Sequence, residues 1–186
     1  EYDINGNIVS ETSKDFNLYQ KKTNFKYNNG ILIEKITTSK ADKEKIKRKN
    51  EESEREAKRD IKKNGIATVA NFAAEDTESI YSAELDKKNR IISTKYENYK
   101  ISNGEKQLSN EISTQIEYSG NKIKKIISGN SKNFYEVNYF YDGNILTKTE
   151  SLNGGTNVYQ QRKKTQNYTY DKQKNLVAIY EIEQYY

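Results

Sequence analysis

The chain contains no cysteine, histidine, methionine, tryptophan or proline. Without Cys there is no disulfide, no thiolate nucleophile and no cysteine-based zinc site. Without His the commonest general base at neutral pH and the commonest transition-metal ligand are gone. Without Pro no strand is interrupted by a missing backbone donor. No run approaches the length of about 18 apolar residues that marks a membrane-crossing helix. Met is missing at position 1 too, and EYDINGN begins inside a repeat unit, so a signal peptide or lipoprotein leader is expected upstream of Glu1.

What remains is polar and rich in tyrosine. Of 186 residues, 33% are hydrophobic and 32% charged, and the mean hydropathy is −1.11. Such a chain lies near the border below which apolar burial fails to offset the entropy of ordering. Sixteen Tyr and five Phe, regularly placed, argue for an ordered protein with a thin core. The net charge of +5 comes from 32 basic against 27 acidic residues, a mixture more typical of a solvated surface than of a phosphate footprint. Nucleic acid is therefore disfavoured as a partner.

An aromatic, a polar turn and an aliphatic recur along the chain. The units begin at Tyr2-Asp3, Phe25-Lys26-Tyr27, Leu85-Asp86, Tyr118-Ser119, Tyr139-Phe140-Tyr141 and Tyr168-Thr169-Tyr170, the third of them degraded. Asn-Gly, Gly-Asn and Asp-Gly tolerate the positive φ angles of tight hairpin turns. The arms alternate with period two, placing Tyr135, Val137, Tyr139 and Tyr141 on one face, with Phe134, Glu136, Asn138 and Phe140 on the other. The expected fold is mainly β: a twisted antiparallel sheet of consecutive hairpins, one domain over residues 1–186.

YDINGNIV (2–9), YDGNIL (141–146) and YDKQKNLV (170–177) resemble the YD repeat of the Rhs and teneurin-like family. The resemblance covers about half of the chain in short pieces. It implies a β-hairpin ribbon, which in large members encloses a toxin or forms a cell-surface barrel. The protease-like and toxin segments of those members are missing, so the resemblance carries over no catalytic residue. Small secreted or lipid-anchored bacterial proteins with such repeats are the better analogue, and the Lys/Asn/Ile-rich composition suits a low-GC bacterium.

Residues 39–65, SKADKEKIKRKNEESEREAKRDIKKNG, break the pattern. Ser39 with Asp42 reads as a capping box and Asn64-Gly65 as a stop, so an inserted, charged helix is expected over about 39–64. Ile46 and Ile61 lie four turns apart on nearly the same side. The helix is either a solvated crossing between hairpins or, through Lys43, Lys45, Lys47, Arg48 and Lys49, a basic patch for an anionic partner. IATVANFAA (66–74), containing Phe72, is expected as a strand or short helix packed on the sheet, with an exposed docking segment as the alternative.

Chemistry is poorly supported. Asp3-Ile4-Asn5-Gly6-Asn7 echoes the start of a calcium loop, but no Glu follows at the required distance, and turn geometry explains the same residues. Asp142, Asp171, Glu117 and Glu136 show no spacing that would pair two carboxylates for glycoside hydrolysis. The Asn167-Tyr168-Thr169 sequon is read as incidental. No enzyme, catalytic residue, metal or cofactor is expected. The expectation is a binding or structural protein of the bacterial envelope or exterior, secreted, periplasmic or surface-located. Its candidate partner-binding residues are Tyr135, Tyr139, Tyr141, Tyr168, Tyr170, Phe72, Lys47 and Arg48. A protein partner is expected first and a glycan second. The alternatives are an immunity protein that neutralises a toxin and a fragment of a larger Rhs-type shell. The terminal EIEQYY suggests an edge strand able to receive another chain.

Overall fold

Turn chemistry sets the architecture. Asn29 and Gly30 both take positive φ (48° and 75°), as do Asn103 and Gly104 (52° and 82°), the combination that a type I′ hairpin turn requires. At residues 119–122 and 142–145 the glycine comes first, with Gly120 at 60° and Gly143 at 52°, the arrangement of a II′ turn. Three wider loops share another device. Asp3 accepts the backbone N–H groups of Asn5 and Asn7, Asp86 those of Lys88 and Arg90, and Asp171 that of Asn175. The fourth residue of each loop, Gly6, Asn89 or Lys174, takes positive φ.

The computed structural model describes residues 1–15, 17–155 and 161–185. Its elements are β1 Ser10–Asp15, β2 Tyr19–Asn28, β3 Ile31–Ala41, α1 Lys43–Asn64, β4 Asp76–Leu85, β5 Ile91–Ser102, β6 Glu105–Ser119, β7 Lys122–Gly129, β8 Asn133–Asp142, β9 Ile145–Gly155, β10 Arg162–Tyr170 and β11 Leu176–Tyr185. The fold is mainly β, and the eleven strands follow sequence order in one sheet, β1 to β11, whose order does not close on itself. All described pairings are antiparallel. The first repeat unit forms only an isolated bridge, Tyr2 to Ile8. The unit at 85–91, expected as degraded, is a regular hairpin loop between β4 and β5.

Four of the hairpins repeat an irregularity at the same place. The register shifts between Lys26 and Tyr27, Glu117 and Tyr118, Phe140 and Tyr141, and Thr169 and Tyr170. Each key tyrosine thus follows a β-bulge, with Ile33, Lys124, Thr147 or Val177 unpaired on the return arm. Bulges of this kind re-aim side chains near turns.

Contacts divide the chain into two compact units: Glu1–Ser82 with Glu97–Asn110, and Ala83–Tyr96 with Glu111–Tyr186. Apolar burial is sparse in both. Among the described residues, Leu18, Ile46 and Ala57 are the buried apolar side chains of the first unit, and Val137 is that of the second. The chain exposes 13,708 Å², half as much again as the ~9,200 Å² expected for a compact monomer of this mass. The sparse apolar burial of each unit accords with that exposure. Thr23 and Thr149, polar but small, fill two of the buried positions.

The helix begins at Lys43, its cap lying three residues beyond the expected Ser39. Ser39 and Ala41 belong to β3, paired with Lys21 and Tyr19. Asp42 caps α1, accepting the Lys45 N–H at 3.1 Å, and its own N–H donates to the Leu18 carbonyl at 2.8 Å. Gly65 closes the other end with φ 74°. Ile46 and Ala57 are buried, whereas Ile61 is 54% exposed. Residues 66–74 form neither strand nor helix. The Asn50 side chain brackets the Phe72 backbone on both sides (3.1 and 2.9 Å), Ser53 accepts from Ala70 N–H at 2.8 Å, and Tyr19 donates to Ala73 O at 2.7 Å. Polar tethers therefore hold this stretch, and Ile66 and Val69 stay exposed. The expectation of a packed strand or helix is corrected.

Candidate interaction surface

In the second unit, strand alternation gathers the predicted tyrosines. Tyr135, Val137 and Tyr139 of β8 pair with Asn153, Ser151 and Thr149 of β9, and the last two pair with Lys164 and Gln166 of β10. Those residues share one face because side chains repeat every second residue. Tyr168 lies on the same face, its hydroxyl 3.2 Å from Thr149 Oγ1 and donating to Gln166 Oε1 at 3.3 Å. Burial, and then the neighbouring Tyr135, Tyr141 and Tyr168, push the Tyr139 hydroxyl above the usual tyrosine range. Tyr139 and Tyr168 thus meet at Thr149, with Tyr135 and Tyr141 on either side of Tyr139 along β8. Tyr135 and Tyr141 are exposed, at 43% and 36%, while Tyr139 and Tyr168 are half-buried.

The other tyrosines named at turns serve the fold. Tyr170 donates to Leu146 O at 2.8 Å, and Tyr118 donates to Ile91 O at 3.0 Å. Each hydroxyl fastens its hairpin to the return arm of the hairpin before it. A second fastening recurs beside them. Arg90 stacks on the Tyr118 ring (4.0 Å) and donates to Gly120 O; Lys122 lies over the Tyr141 ring (5.4 Å) and donates to Gly143 O. In both cases a cation beginning one return arm holds the next hairpin's tyrosine and turn. The signal for it in the sequence is a basic residue at the end of a turn, Arg90 or Lys122, which the aromatic repeat does not include.

The opposite face is a lattice of charge. Lys125 bridges Glu136 at 3.0 Å, and Lys148 bridges Glu150 at 3.0 Å while covering the Phe140 ring at 4.1 Å. The Asn138 amide and the Lys125 ammonium hold Glu136 below its usual pKa. At the end of this face the Phe134 ring lies over Gly154, where an added Cβ would come within 2.3 Å of it. Of the carboxylates weighed for hydrolysis, Glu136 faces Lys125 and Asp171 is engaged by Asn175.

The remaining predicted residues belong to the first unit. Phe72 is half-buried in the tethered segment. Lys47 and Arg48 are exposed on α1, and Arg48 pairs with Glu44 at 3.9 Å. Lys45 pairs with Asp42 and Lys49 with Glu52. A shallow concavity of about 520 Å³ on this helix is lined by Arg48, Arg55 and Arg59 alternating with Glu51, Glu52 and Glu56. Its charge is mixed, and of the cations expected as a basic patch Lys45, Arg48 and Lys49 are shared with acids about one turn away. Among the described residues no three potential metal-ligating side chains cluster.

No protein-family model matches the chain, and no curated protein matches it. No helix of the described residues is long and apolar enough to cross a membrane.

Proposed function

We propose that the chain is a non-enzymatic binding protein that presents the Tyr135–Tyr139–Tyr141–Tyr168 face of its sheet to a protein partner. The observation that carries this is the exposure of Tyr135 and Tyr141 beside half-buried Tyr139 and Tyr168 along one sheet face. Tyr168 is anchored by hydrogen bonds with Thr149 and Gln166 and Tyr139 is half-buried, so Tyr135 and Tyr141 are the rings of this face left for a partner. Tyrosine suits such a role because it offers a large contact area at low entropic cost with a polar tip that remains comfortable in water. The hairpin ribbon, with its bulge before each key tyrosine, is in keeping with membership of a YD-repeat family. A location in the bacterial envelope or exterior belongs to the same proposal.

The test is affinity capture with the intact chain and with Tyr135→Ser/Tyr141→Ser. One stoichiometric protein retained by the first and lost by the second supports the proposal. A partner held equally by both, or by neither chain, overturns it.

A further inference from the structure

The two edges of the sheet are unlike. β1 reads SETSKD, short and polar with a lysine, and this is how proteins commonly blunt an edge. β11 reads LVAIYEIEQY, ten residues without Lys, Gly or Pro. No described strand pairs with its outer side. Leu176, Val177, Ile179, Tyr180, Ile182 and Tyr185 are all exposed, Tyr180 at 64%. Along Leu176–Glu183 such an edge offers backbone donors and acceptors beside apolar side chains on both faces.

The charge of this strand identifies its occupant. Its two acids, Glu181 and Glu183, are already neutralised from β10: Lys164 bridges Glu181 at 2.7 Å, Gln166 donates to it at 3.0 Å, and Arg162 bridges Glu183. Arg162 also holds Glu183 below its usual pKa. A cationic peptide would find no unspent carboxylate here. The best complement is a neutral, apolar strand of about 33 Å, and β11 is itself such a strand.

We propose that β11 pairs antiparallel with β11 of a second copy of this chain about a two-fold axis. Residues paired across strands share a face, so the register centred on Tyr180 is favoured. It sets Tyr180 against Tyr180 and Ala178 against Ile182, apolar pairings on one face. Tyr180 pairs with Asn167 within the chain, which puts it on the face opposite Tyr135 and Tyr139. The dimer therefore leaves that tyrosine face free and stands independently of the function proposed above.

Edge pairing of one strand buries less than the ~800 Å² per partner of a standard interface, so a dissociation constant of about 10–100 µM is expected. Sedimentation equilibrium over about 1–200 µM should show a monomer–dimer equilibrium. Tyr180→Lys should weaken it at least tenfold, while Thr12→Lys in β1 and Tyr135→Ser/Tyr141→Ser should leave it unchanged. A monomer throughout overturns the proposal, as does a dimer indifferent to Tyr180→Lys. Should that variant unfold, amide exchange of the unaltered chain decides: protection of β11 that rises with concentration supports pairing, and constant protection overturns it.

Discussion

Replacing Ile46 with alanine should release the helix from the sheet while leaving the strands in place. Ile46 is 1% exposed, and with Ala57 it is all that α1 buries among the described residues. The ion pairs along the helix are exposed, and pairs of that kind are worth about 0.2–0.5 kcal/mol each. They fall short of supporting a helix that has lost its packing. Truncating a buried isoleucine removes about three methylene equivalents at ~0.8 kcal/mol apiece, and the cavity brings the cost to about 2–4 kcal/mol. Circular dichroism should lose a large part of its helical signal, and amide exchange over Lys43–Asn64 should quicken far more than in β2 and β3. Ile61→Ala, at an exposed position on the same stripe, should cost less than about 0.5 kcal/mol. Equal effects of the two substitutions, or an Ile46→Ala chain whose helix stays protected, would refute this account of how α1 is held.

The other expectations concern the hairpins. Hydrogen bonds from Arg90 and from the loop backbone hold the Asp86 carboxyl at a pKa of about 2, against 3.8 unperturbed. Its contribution to stability is therefore complete above pH 4 and disappears as pH falls towards 2. An NMR titration of the Asp86 side chain should show a midpoint near 2 that rises in Arg90→Gln, and a midpoint near 3.8 in the unaltered chain contradicts the loop geometry. Gly154→Ala should destabilise by about 1–3 kcal/mol by displacing the Phe134 ring. In a Phe134→Ala background the same change should cost little, and a denaturation cycle that shows simple additivity argues against that contact. Tyr170→Phe, which deletes the donor to Leu146 O, should cost about 0.5–1.5 kcal/mol in urea denaturation, and no measurable loss would mean that the bond is not formed.

The hairpins were legible because their turns demand special residues. Asn29-Gly30 and Gly143-Asn144 announce positive φ, and alternation in β8 correctly placed Tyr135 and Tyr139 together. The Asn103-Gly104 turn carries the same chemistry but lacks the flanking aromatic, so it stands outside the aromatic repeat. The start of α1 was placed too early because Asp42, read as the capping-box partner of Ser39, is itself the cap, and pairing of Ala41 with Tyr19, a long-range contact, carries β3 up to it. Residues 66–74 were misjudged because apolar composition suggests burial, whereas Asn50, Ser53 and Tyr19 offer hydrogen bonds that fix the chain in an open position. The division of the tyrosines between surface and scaffold was not legible either. Whether a hydroxyl meets solvent or a neighbouring carbonyl depends on where the adjacent hairpin lies.

The most direct test of the central claim is tyrosine-selective chemical footprinting of the chain alone and with its captured partner. In the free chain Tyr135 and Tyr141 should react readily, and Tyr139 and Tyr168 slowly. Complex formation should protect Tyr135 and Tyr141 while leaving Tyr2 and Tyr96, exposed in the first unit and at its boundary, as reactive as before. Undiminished reactivity of Tyr135 and Tyr141 in the complex would contradict the assignment of this face as the binding surface.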